Sequence, residues 1–597
     1  MGARSFQTMV PMRDGTRLNT FVFLPASGGP SFPVILHRTP YGIAAADARD
    51  KFDHTNAWLP STAEPMRGSI LRGWKAIVEH GYAAVYQDCR GRHGSEGEDR
   101  VYADDAVDGH DTLDWIDGQS WTNHRVGMSG SSAGATTTFA AASMRHSSLR
   151  AFFAQAGGSS IYDDVIYEGQ AIEMERLWLW VAKNIPGLSM SHREAMMARF
   201  GIGAAELERA AASAADRYTR LDAARHDSPP FINAPDWLRL PLTGYPDFAV
   251  WQPFLDEIIS HPAPDAFRAR HNFRRTIDIP GFHVTTWFDI FQTSVIAAFQ
   301  EIQARTGTQK LWVGPNEHYF VYASNFWPRD PYFEWFGHWL KDEPSDLIDE
   351  PSVYYSPRAW VDDRAAYAST DWVRSERWPP PGTSPRRLYL CSDGSLADAP
   401  AGESLQYRYD PRHPIPSLGG RNMLIDAGPR DQRSAHSLPD YGLIYRGTPL
   451  DADMTIAGNV RGTLHVGSDC PDSDFVVKLV EVLPDGSAML LMDGVVRAMY
   501  RDPTAGAQPL VPEQIYSLTI DLGDIHHTVH AGSRIEIDVT SSNFPRRARN
   551  TNSGNPIVAN DGEADIRVAI NTVHHAPGTQ SFLELPVLGR SRTGQCA

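Results

Sequence analysis

The stretch Val126–Phe139 reads VGMSGSSAGATTTF and holds three serines, Ser129, Ser131 and Ser132, among small residues. The pattern Gly-x-Ser-x-Gly between a strand and a helix is typical of a sharp turn that presents one reactive serine. Only the frame Gly130–Gly134 fits this pattern, and its central residue is Ser132. No Gly-Lys-Ser/Thr follows, which excludes a phosphate-binding loop. A turn of small residues without chemistry remains the alternative.

The segments around this stretch alternate between strand-like and helix-like patterns. Short apolar runs rich in β-branched and aromatic residues predict strands, and apolar residues three or four apart predict helices. Such alternation is typical of a parallel sheet that is covered by helices on both faces. We therefore predict a mostly parallel sheet with strands at 17–25, 32–41, 81–91 and 125–130 and helices at 65–80 and 103–119.

The rest of the chain changes its pattern twice. From 160 to 272 the strand pattern gives way to long helical patterns, which predict a helical cap inserted into the core. The α/β pattern returns over 273–348 and completes the core that residues 1–159 begin. Within 349–597, short alternating runs are separated by turns such as Pro484–Gly486. This last pattern predicts a C-terminal all-β jelly-roll domain.

Charge and composition limit the classes of partner. The 597-residue chain has a net charge of −17, whereas nucleic acids and anionic membranes require clustered Lys and Arg. The sequence contains no run of 18 apolar residues, so no membrane span is predicted. The N-terminal segment also lacks the apolar core of a secretory signal. We predict a cytoplasmic protein without nucleic-acid or membrane partners and leave a homo-oligomer open.

Metal and cofactor binding are not predicted. The four cysteines lie far apart, without the Cys-x-x-Cys or Cys/His spacing of a zinc site. Two groups of histidines lie in the last domain, without a cysteine or carboxylate cluster beside them. The first group is His526, His527 and His530, and the second is His574 and His575. We interpret both groups as surface or inter-domain packing.

A serine hydroxyl needs a base, and that base needs an acid that orients it. In α/β-hydrolase folds these residues follow the serine in the order Asp/Glu and then His. Asp289 comes directly after the strand-like run HVTTWF, and His318 follows LWVGPNE. The alternatives are a helix-capping aspartate and an ordinary loop histidine. An oxyanion hole would use the backbone N–H of Ala133 and a second donor from the loop HRTPYG.

Six motifs are spread along the chain: RTPY at 38–41, GYAAVYQDCRGRHGSEGE at 81–98, VGMSGSSAGA at 126–135, WFDIF at 287–291, GPNEH at 314–318 and YRYDPRHPIPSLGG at 407–420. Together they resemble the CocE/NonD hydrolases. This X-Pro dipeptidyl-peptidase-like group includes cocaine esterase, glutaryl acylases and α-amino-acid ester hydrolases. The resemblance implies an α/β-hydrolase core with an inserted helical cap and a C-terminal jelly roll.

The resemblance assigns roles to individual residues. Ser132 is expected to be the nucleophile, Asp289 the orienting acid and His318 the base. Tyr41 is expected to donate its hydroxyl to the oxyanion beside the Ala133 amide, an arrangement characteristic of the family.

The same resemblance makes Asp88 and Arg90 structural residues that tie loops beside the site. The chain departs from the family at Ala133, where a tyrosine is usual, and at Asn316, where tryptophan is frequent. Both departures are expected to lie near the substrate.

The residues after Asp289 bear on specificity. α-Amino-acid ester hydrolases carry an Asp-x-Glu-Asp arrangement that holds the substrate ammonium, whereas this chain continues with Ile290, Phe291 and Gln292. An apolar acyl site is therefore expected, with Phe291 as one wall and Trp180 of the cap as the opposite wall. For Trp180, a role in the core of the cap is an equal alternative.

Together these residues predict a serine hydrolase that cleaves a small ester or amide with an apolar or aromatic acyl group through an acyl-enzyme. An X-Pro-type dipeptidyl aminopeptidase and a β-lactam acylase are the enzymatic alternatives. The non-enzymatic alternative is an inactive hydrolase scaffold that binds a ligand.

Overall fold

The first region begins the sheet that the sequence predicts. The structure is a computed structural model that describes residues 4–43, 73–224, 235–245, 248–319, 327–362, 372–423, 425–502 and 504–589. The part of the predicted helix at 65–72 lies outside the described residues. The elements of this region are β1 (Arg4–Pro11), β2 (Arg17–Leu24), β3 (Phe32–Thr39), α1 (Trp74–Glu79), β4 (Ala83–Asp88), α2 (Asp105–Asp117), β5 (Thr122–Ser131), α3 (Ala133–Ser143) and β6 (Leu149–Gln155).

The second region is mostly helical, as its sequence pattern predicts. A single two-stranded hairpin precedes the helices that the structure describes here. The elements are β7 (Tyr167–Glu168), β8 (Ala171–Ile172), α4 (Met174–Asn184), α5 (Met190–Phe200), α6 (Ala204–Ala224), α7 (Pro235–Leu238), α8 (Phe248–Trp251), α9 (Phe254–Ile258) and α10 (Ala266–Ala269).

The third region returns to the sheet. Its elements are β9 (Gly281–Phe288), α11 (Gln292–Thr306), β10 (Gln309–Glu317), α12 (Tyr332–Lys341), α13 (Asp346–Asp349), β11 (Val353–Tyr355) and β12 (Val373–Ser375). Strands β11 and β12 lie beyond residue 348 and still pair in this sheet. The first sheet thus includes residues that the sequence-based division assigned to the last domain.

Ten strands form this first sheet in the order β1-β2-β4-β3-β5-β6-β9-β10-β11-β12. The pairs from β4 to β11 are parallel, and the pairs β1–β2, β2–β4 and β11–β12 are antiparallel. Neighbouring residues Ile35 and Leu36 of β3 enter two different apolar clusters, because successive side chains of a strand point to opposite faces. Helices α2, α3 and α11 cover one face, and α1 and α12 cover the other. The predicted α/β core is confirmed.

The C-terminal region is all-β, as predicted. One antiparallel sheet has the order β14-β13-β23-β17-β22-β15 with β20 on β17, and a second has the order β16-β21-β18-β19. The elements are β13 (Thr383–Leu390), β14 (Leu396–Ala397), β15 (Ser404–Tyr409), α14 (Arg433–His436), β16 (Leu443–Arg446), β17 (Met454–Ser468), β18 (Asp474–Val482), β19 (Ala488–Arg497), β20 (Tyr516–Val529), β21 (Arg534–Thr540), β22 (Ala569–His574) and β23 (Phe582–Leu588).

Buried ion pairs join the helical region to the C-terminal domain. Arg546 lies 2.8 Å from Asp493 within the C-terminal domain and 3.0 Å from Glu168 of β7. Arg547 contacts the same two carboxylates at 2.8 and 2.7 Å. Charges that are removed from water are stable only when they are paired. The buried arginines of the C-terminal domain therefore need the carboxylate of the helical region as a partner.

Candidate active site

Ser132 occupies a strained turn between β5 and α3. Its backbone has φ +53° and ψ −122°, a conformation that L-residues rarely adopt. The turn is tight enough that a Cβ on Gly130 would lie 2.1 Å from the Gly134 carbonyl oxygen. The Ser132 N–H donates to the Gln155 carbonyl at 2.9 Å and anchors the turn to β6. The geometry is that of a nucleophile elbow at the end of a central strand.

Asp289 and His318 lie directly after β9 and β10. His318 Nδ1 lies 2.7 Å from Asp289 Oδ1, and both side chains are fully buried. The other carboxylate oxygen accepts a hydrogen bond from the Thr285 hydroxyl at 2.8 Å. A carboxylate at this distance favours the proton on Nδ1 of a neutral imidazole and leaves Nε2 as the basic nitrogen.

Phe291 connects these two residues with the serine. Its ring lies 5.8 Å from the His318 ring in an edge-to-face arrangement, and its N–H donates to Asp289 Oδ1 at 3.2 Å. Phe291 and Ser132 also line the same cavity. Because β5, β6, β9 and β10 are neighbouring parallel strands, their carboxyl ends meet at one edge of the sheet. Ser132, Asp289 and His318 therefore lie at the same edge of the sheet.

The Tyr41 hydroxyl points towards Ser132, with its oxygen 3.5 Å from Ser132 Oγ. It accepts a hydrogen bond from Trp180 Nε1 at 3.3 Å. Burial raises the pKa of Tyr41 above its ordinary value, so the hydroxyl keeps its proton. The bond from Trp180 leaves the hydrogen of the hydroxyl available in the direction of Ser132.

A mostly apolar cavity adjoins Ser132. Trp180 and Phe291, which the sequence analysis named as possible walls of an acyl site, both line it. No carboxylate stands among the described residues that line it. The lining residues are Val101, Tyr102, Ser132, Val165, Ile166, Arg176, Leu177, Trp180, Ile290, Phe291 and Met423.

Arg176 of α4 is a cavity residue that sequence reasoning missed. Its guanidinium donates to the carbonyls of Ile290 at 2.9 Å, Val165 at 3.1 Å and Asp164 at 2.9 Å. The same group lies over the Phe291 ring at 5.8 Å. Arg176 therefore ties the helical region to the segment that follows Asp289. No sequence signal distinguishes this arginine from an ordinary polar residue on an amphipathic helix.

Val101 and Tyr102 were also missed. Both have left-handed backbones, with φ of +48° and +66°. This conformation is rare for any side chain and rarer still for a β-branched one, so the surrounding structure must impose it. Tyr102 in turn packs its ring 6.0 Å from the Trp180 ring. The strained pair forms one wall of the cavity.

The side chain of Asn316 is held by the main chain of a distant residue. Its amide nitrogen donates to the Val361 carbonyl at 2.9 Å, and its oxygen accepts from the Val361 N–H at 2.7 Å. These two bonds fix a buried loop two residues before His318, and Asn316 is not among the residues that line the cavity.

The histidine groups pack as interpreted from the sequence. His526 Nδ1 lies 2.9 Å from the Pro357 carbonyl, and His527 Nε2 lies 2.8 Å from Glu481. His575 pairs with the Tyr445 hydroxyl at 2.9 Å.

Two other clusters in the described chain have a geometry that could hold a metal ion, and neither includes a residue that lines the cavity. They are His110, Asp114 and His146, and His436, Glu536 and Asp538.

Among the described residues, no helix combines the length and the apolar character that crossing a membrane requires.

Two family profiles match the chain. Residues 14–320 match the profile described as X-Pro dipeptidyl-peptidase (S15 family). Residues 349–584 match the X-Pro dipeptidyl-peptidase C-terminal non-catalytic domain. The first match covers the sheet from β2 to β10 and includes Tyr41, Ser132, Asp289 and His318.

Whole-chain comparisons point the same way. The chain is 30% identical to a cocaine esterase from Rhodococcus sp. (strain MB1 Bresler), with 98% of each chain covered. Its fold is similar to that of an α-amino acid ester hydrolase, with a TM-score of 0.72, 23% identity and coverage of 98% of this chain and 96% of the other. A CocE/NonD family hydrolase from Staphylococcus aureus gives a TM-score of 0.67 at 17% identity, over 98% and 94% of the two chains.

Proposed function

Since this chain belongs to the X-Pro dipeptidyl-peptidase (S15) family of hydrolases, we propose that it cleaves a small ester with an apolar or aromatic acyl group. One observation carries the acyl specificity: the cavity beside Ser132 is apolar and is walled by Trp180 and Phe291. The Rhodococcus relative, which is 30% identical over 98% of the chain, is named as an esterase, which favours an ester over an amide.

The proposed reaction begins with attack of Ser132 Oγ on the ester carbonyl carbon, while His318 Nε2 takes the hydroxyl proton. Asp289 holds the imidazole in the required tautomer and stabilises the imidazolium that forms. When the tetrahedral intermediate collapses, the C–O bond breaks and His318 returns the proton to the alcohol. A water molecule then attacks the acyl-enzyme with His318 as the base and releases the acid.

Charge develops on the carbonyl oxygen during both attacks. In the proposal, the Tyr41 hydroxyl and the Ala133 N–H donate to this oxygen. The Tyr41 hydroxyl oxygen lies 3.5 Å from Ser132 Oγ, and Ala133 directly follows Ser132 in the turn, which supports both assignments. The Trp180 N–H supports the same role, since it occupies an acceptor position of the Tyr41 oxygen and directs the hydroxyl hydrogen away from the cap.

The acyl group would lie in the cavity, between the Trp180 indole and the Phe291 ring. A peptidase of X-Pro type must also hold the substrate ammonium, which requires an acidic or otherwise polar partner. Among the described residues that line the cavity, Arg176 is the charged one, and its donors are directed at carbonyls. This lining favours the ester reading over the aminopeptidase and acylase readings.

A substrate panel tests this function. We expect p-nitrophenyl benzoate to exceed p-nitrophenyl acetate in kcat/KM by about 10- to 200-fold, because the ring gains apolar burial in the cavity. Xaa-Pro p-nitroanilides and β-lactam side-chain amides should react more slowly than either ester. Initial rates with equal enzyme concentrations give the comparison. A p-nitroanilide as the best substrate would replace the esterase proposal with the peptidase one.

The Tyr41→Phe substitution tests the oxyanion donor. We expect kcat to fall about 10²- to 10³-fold with little change in KM, because the lost donor acts mainly on the developing charge. Steady-state kinetics with p-nitrophenyl benzoate measure both constants. Tyr82→Phe, in the cluster on the opposite face of the sheet, is the matched control and should keep wild-type kcat. Equal kcat for Tyr41→Phe and wild type would exclude the role.

A further inference from the structure

The turn that carries Tyr41 is held from the neighbouring strand by a carboxylate. Asp88 ends β4 and lies in register with Thr39 of β3, two residues before Tyr41. Its Oδ1 accepts a hydrogen bond from the backbone N–H of Ile43 at 2.9 Å, two residues after Tyr41. The Asp88 side chain thus fixes the main chain where it leaves the Tyr41 turn.

The other oxygen of Asp88 is fixed as well. Oδ2 accepts from the Asn19 amide at 2.8 Å and from the Gly94 N–H at 3.3 Å. Asp88 is fully buried, and each of these three partners is a donor. A carboxylate held by three donors has one orientation, which makes it a rigid reference point for Ile43.

His93 limits movement of the turn on its other side. Its Nε2 lies 3.3 Å from the Pro40 carbonyl. A Cβ on Gly42 would lie 2.7 Å from the His93 ring, and Gly42 has a left-handed φ of +93°. The turn therefore fits closely between this imidazole and Asp88, and a small displacement would move the Tyr41 hydroxyl relative to Ser132.

We propose that Asp88 is a positioning residue for the oxyanion donor, acting through its hydrogen bond to Ile43 to keep the Tyr41 hydroxyl within reach of Ser132. This inference rests on the proposed function of the same site. Displacement of an oxyanion donor by 1 Å is sufficient to cost about 10²-fold in rate. Asp88 does not touch the reacting atoms itself.

Protonation should weaken this arrangement. Burial raises the pKa of Asp88 to about 7, against the effect of the three hydrogen bonds. All three partners of Asp88 are donors. A protonated carboxyl would place its own O–H opposite one of these N–H groups, and a hydrogen bond would be lost. The titratable groups that adjoin it are the Cys89 thiol, whose pKa burial raises, and His93 across the turn, whose pKa burial lowers. Burial thus favours the neutral form of both groups.

A double-mutant cycle tests the proposal. Asp88→Asn should lower kcat for p-nitrophenyl benzoate about 10- to 100-fold in the wild-type background, with KM almost unchanged. In the Tyr41→Phe background the same change should alter kcat less than about twofold, because the donor that it positions is already absent. Asp105→Asn is the matched control: this buried aspartate pairs with Arg38 at 3.0 Å, and any effect on kcat should be equal in both backgrounds.

The outcomes separate the two proposals. If Tyr41→Phe keeps wild-type kcat, the oxyanion role of Tyr41 fails and Asp88 has no donor to position. If Tyr41→Phe is slow but Asp88→Asn lowers kcat by the same factor in both backgrounds, or in neither, only the role of Asp88 is overturned.

A measurement that needs no substitution of Asp88 covers the case in which Asp88→Asn does not fold. The ratio of kcat for wild type to kcat for Tyr41→Phe cancels the pH dependence of every catalytic group that both enzymes share. Because the ionised form of Asp88 positions the donor, this ratio should fall about 3- to 10-fold as the pH is lowered from about 8.5 to about 5.5. A ratio that is constant across this range overturns the proposal.

Discussion

Substitution of Ser132 by alanine is expected to lower kcat for ester hydrolysis about a million-fold, which leaves only the contribution of binding and the oxyanion donors. The reason is that no acyl-enzyme can form without the hydroxyl. Hydrolysis of p-nitrophenyl benzoate and labelling by a fluorophosphonate measure the two consequences. The protein should still fold, because alanine meets the same backbone strain at φ +53° as serine does.

Ser131→Ala is the matched control for this experiment. Ser131 is the neighbouring serine in the same run and is also buried, but it ends β5 rather than occupying the turn. The Ser131→Ala variant should be labelled by the fluorophosphonate, on Ser132, at a rate close to that of wild type. Labelling of Ser132→Ala, or loss of labelling in Ser131→Ala alone, would assign the nucleophile to another serine.

Substitution of Asp289 by asparagine should lower kcat about 10⁴-fold. The side chain keeps its shape, but an amide N–H at this position can donate to His318 Nδ1, which lies 2.7 Å from Asp289 Oδ1 in the structure. The imidazole proton would then lie on Nε2, so that Nε2 could not act as the base. Steady-state kcat across a range of pH measures the loss, and the thermal midpoint checks that the buried site stays folded.

Asp278→Asn is the control for Asp289. Asp278 precedes the opposite end of β9, where it is exposed and pairs with Arg145 at 3.0 Å. An exposed pair of this kind contributes little to stability, and kcat should remain within about twofold of wild type. If Asp289→Asn also retains wild-type kcat, His318 is oriented by another group and the proposed acid is wrong.

The positions of the proposed catalytic residues could be predicted because each depends on a local pattern. The glycine spacing around Ser132 requires a tight turn, and the runs before Asp289 and His318 are short buried strands. Parallel strands present their carboxyl ends at one edge, so chain order alone brings the three residues to the same region. The stretch SGSSAG thus contains most of the information about the elbow.

Other features depend on distant contacts and could not be predicted. Strands β11 and β12 are three residues long; β11 pairs with β10, and β12 pairs with β11, only in the folded sheet. The left-handed backbone of Val101 and Tyr102 is imposed by neighbours, since neither residue type favours it. The partner of Asn316 is the main chain of Val361, 45 residues away. In each case the deciding interaction lies outside the local sequence window.

Met423 contacts the cavity from the C-terminal domain, although the profile that this domain matches is described as non-catalytic. Because the domain supplies part of the cavity wall without supplying a proposed catalytic group, its loops can vary without disturbing the chemistry. Substrate range could therefore diverge between homologues, or be redesigned in the laboratory, through a domain that a search confined to the catalytic profile would omit. Libraries for directed evolution of this enzyme should include position 423 together with 180 and 291.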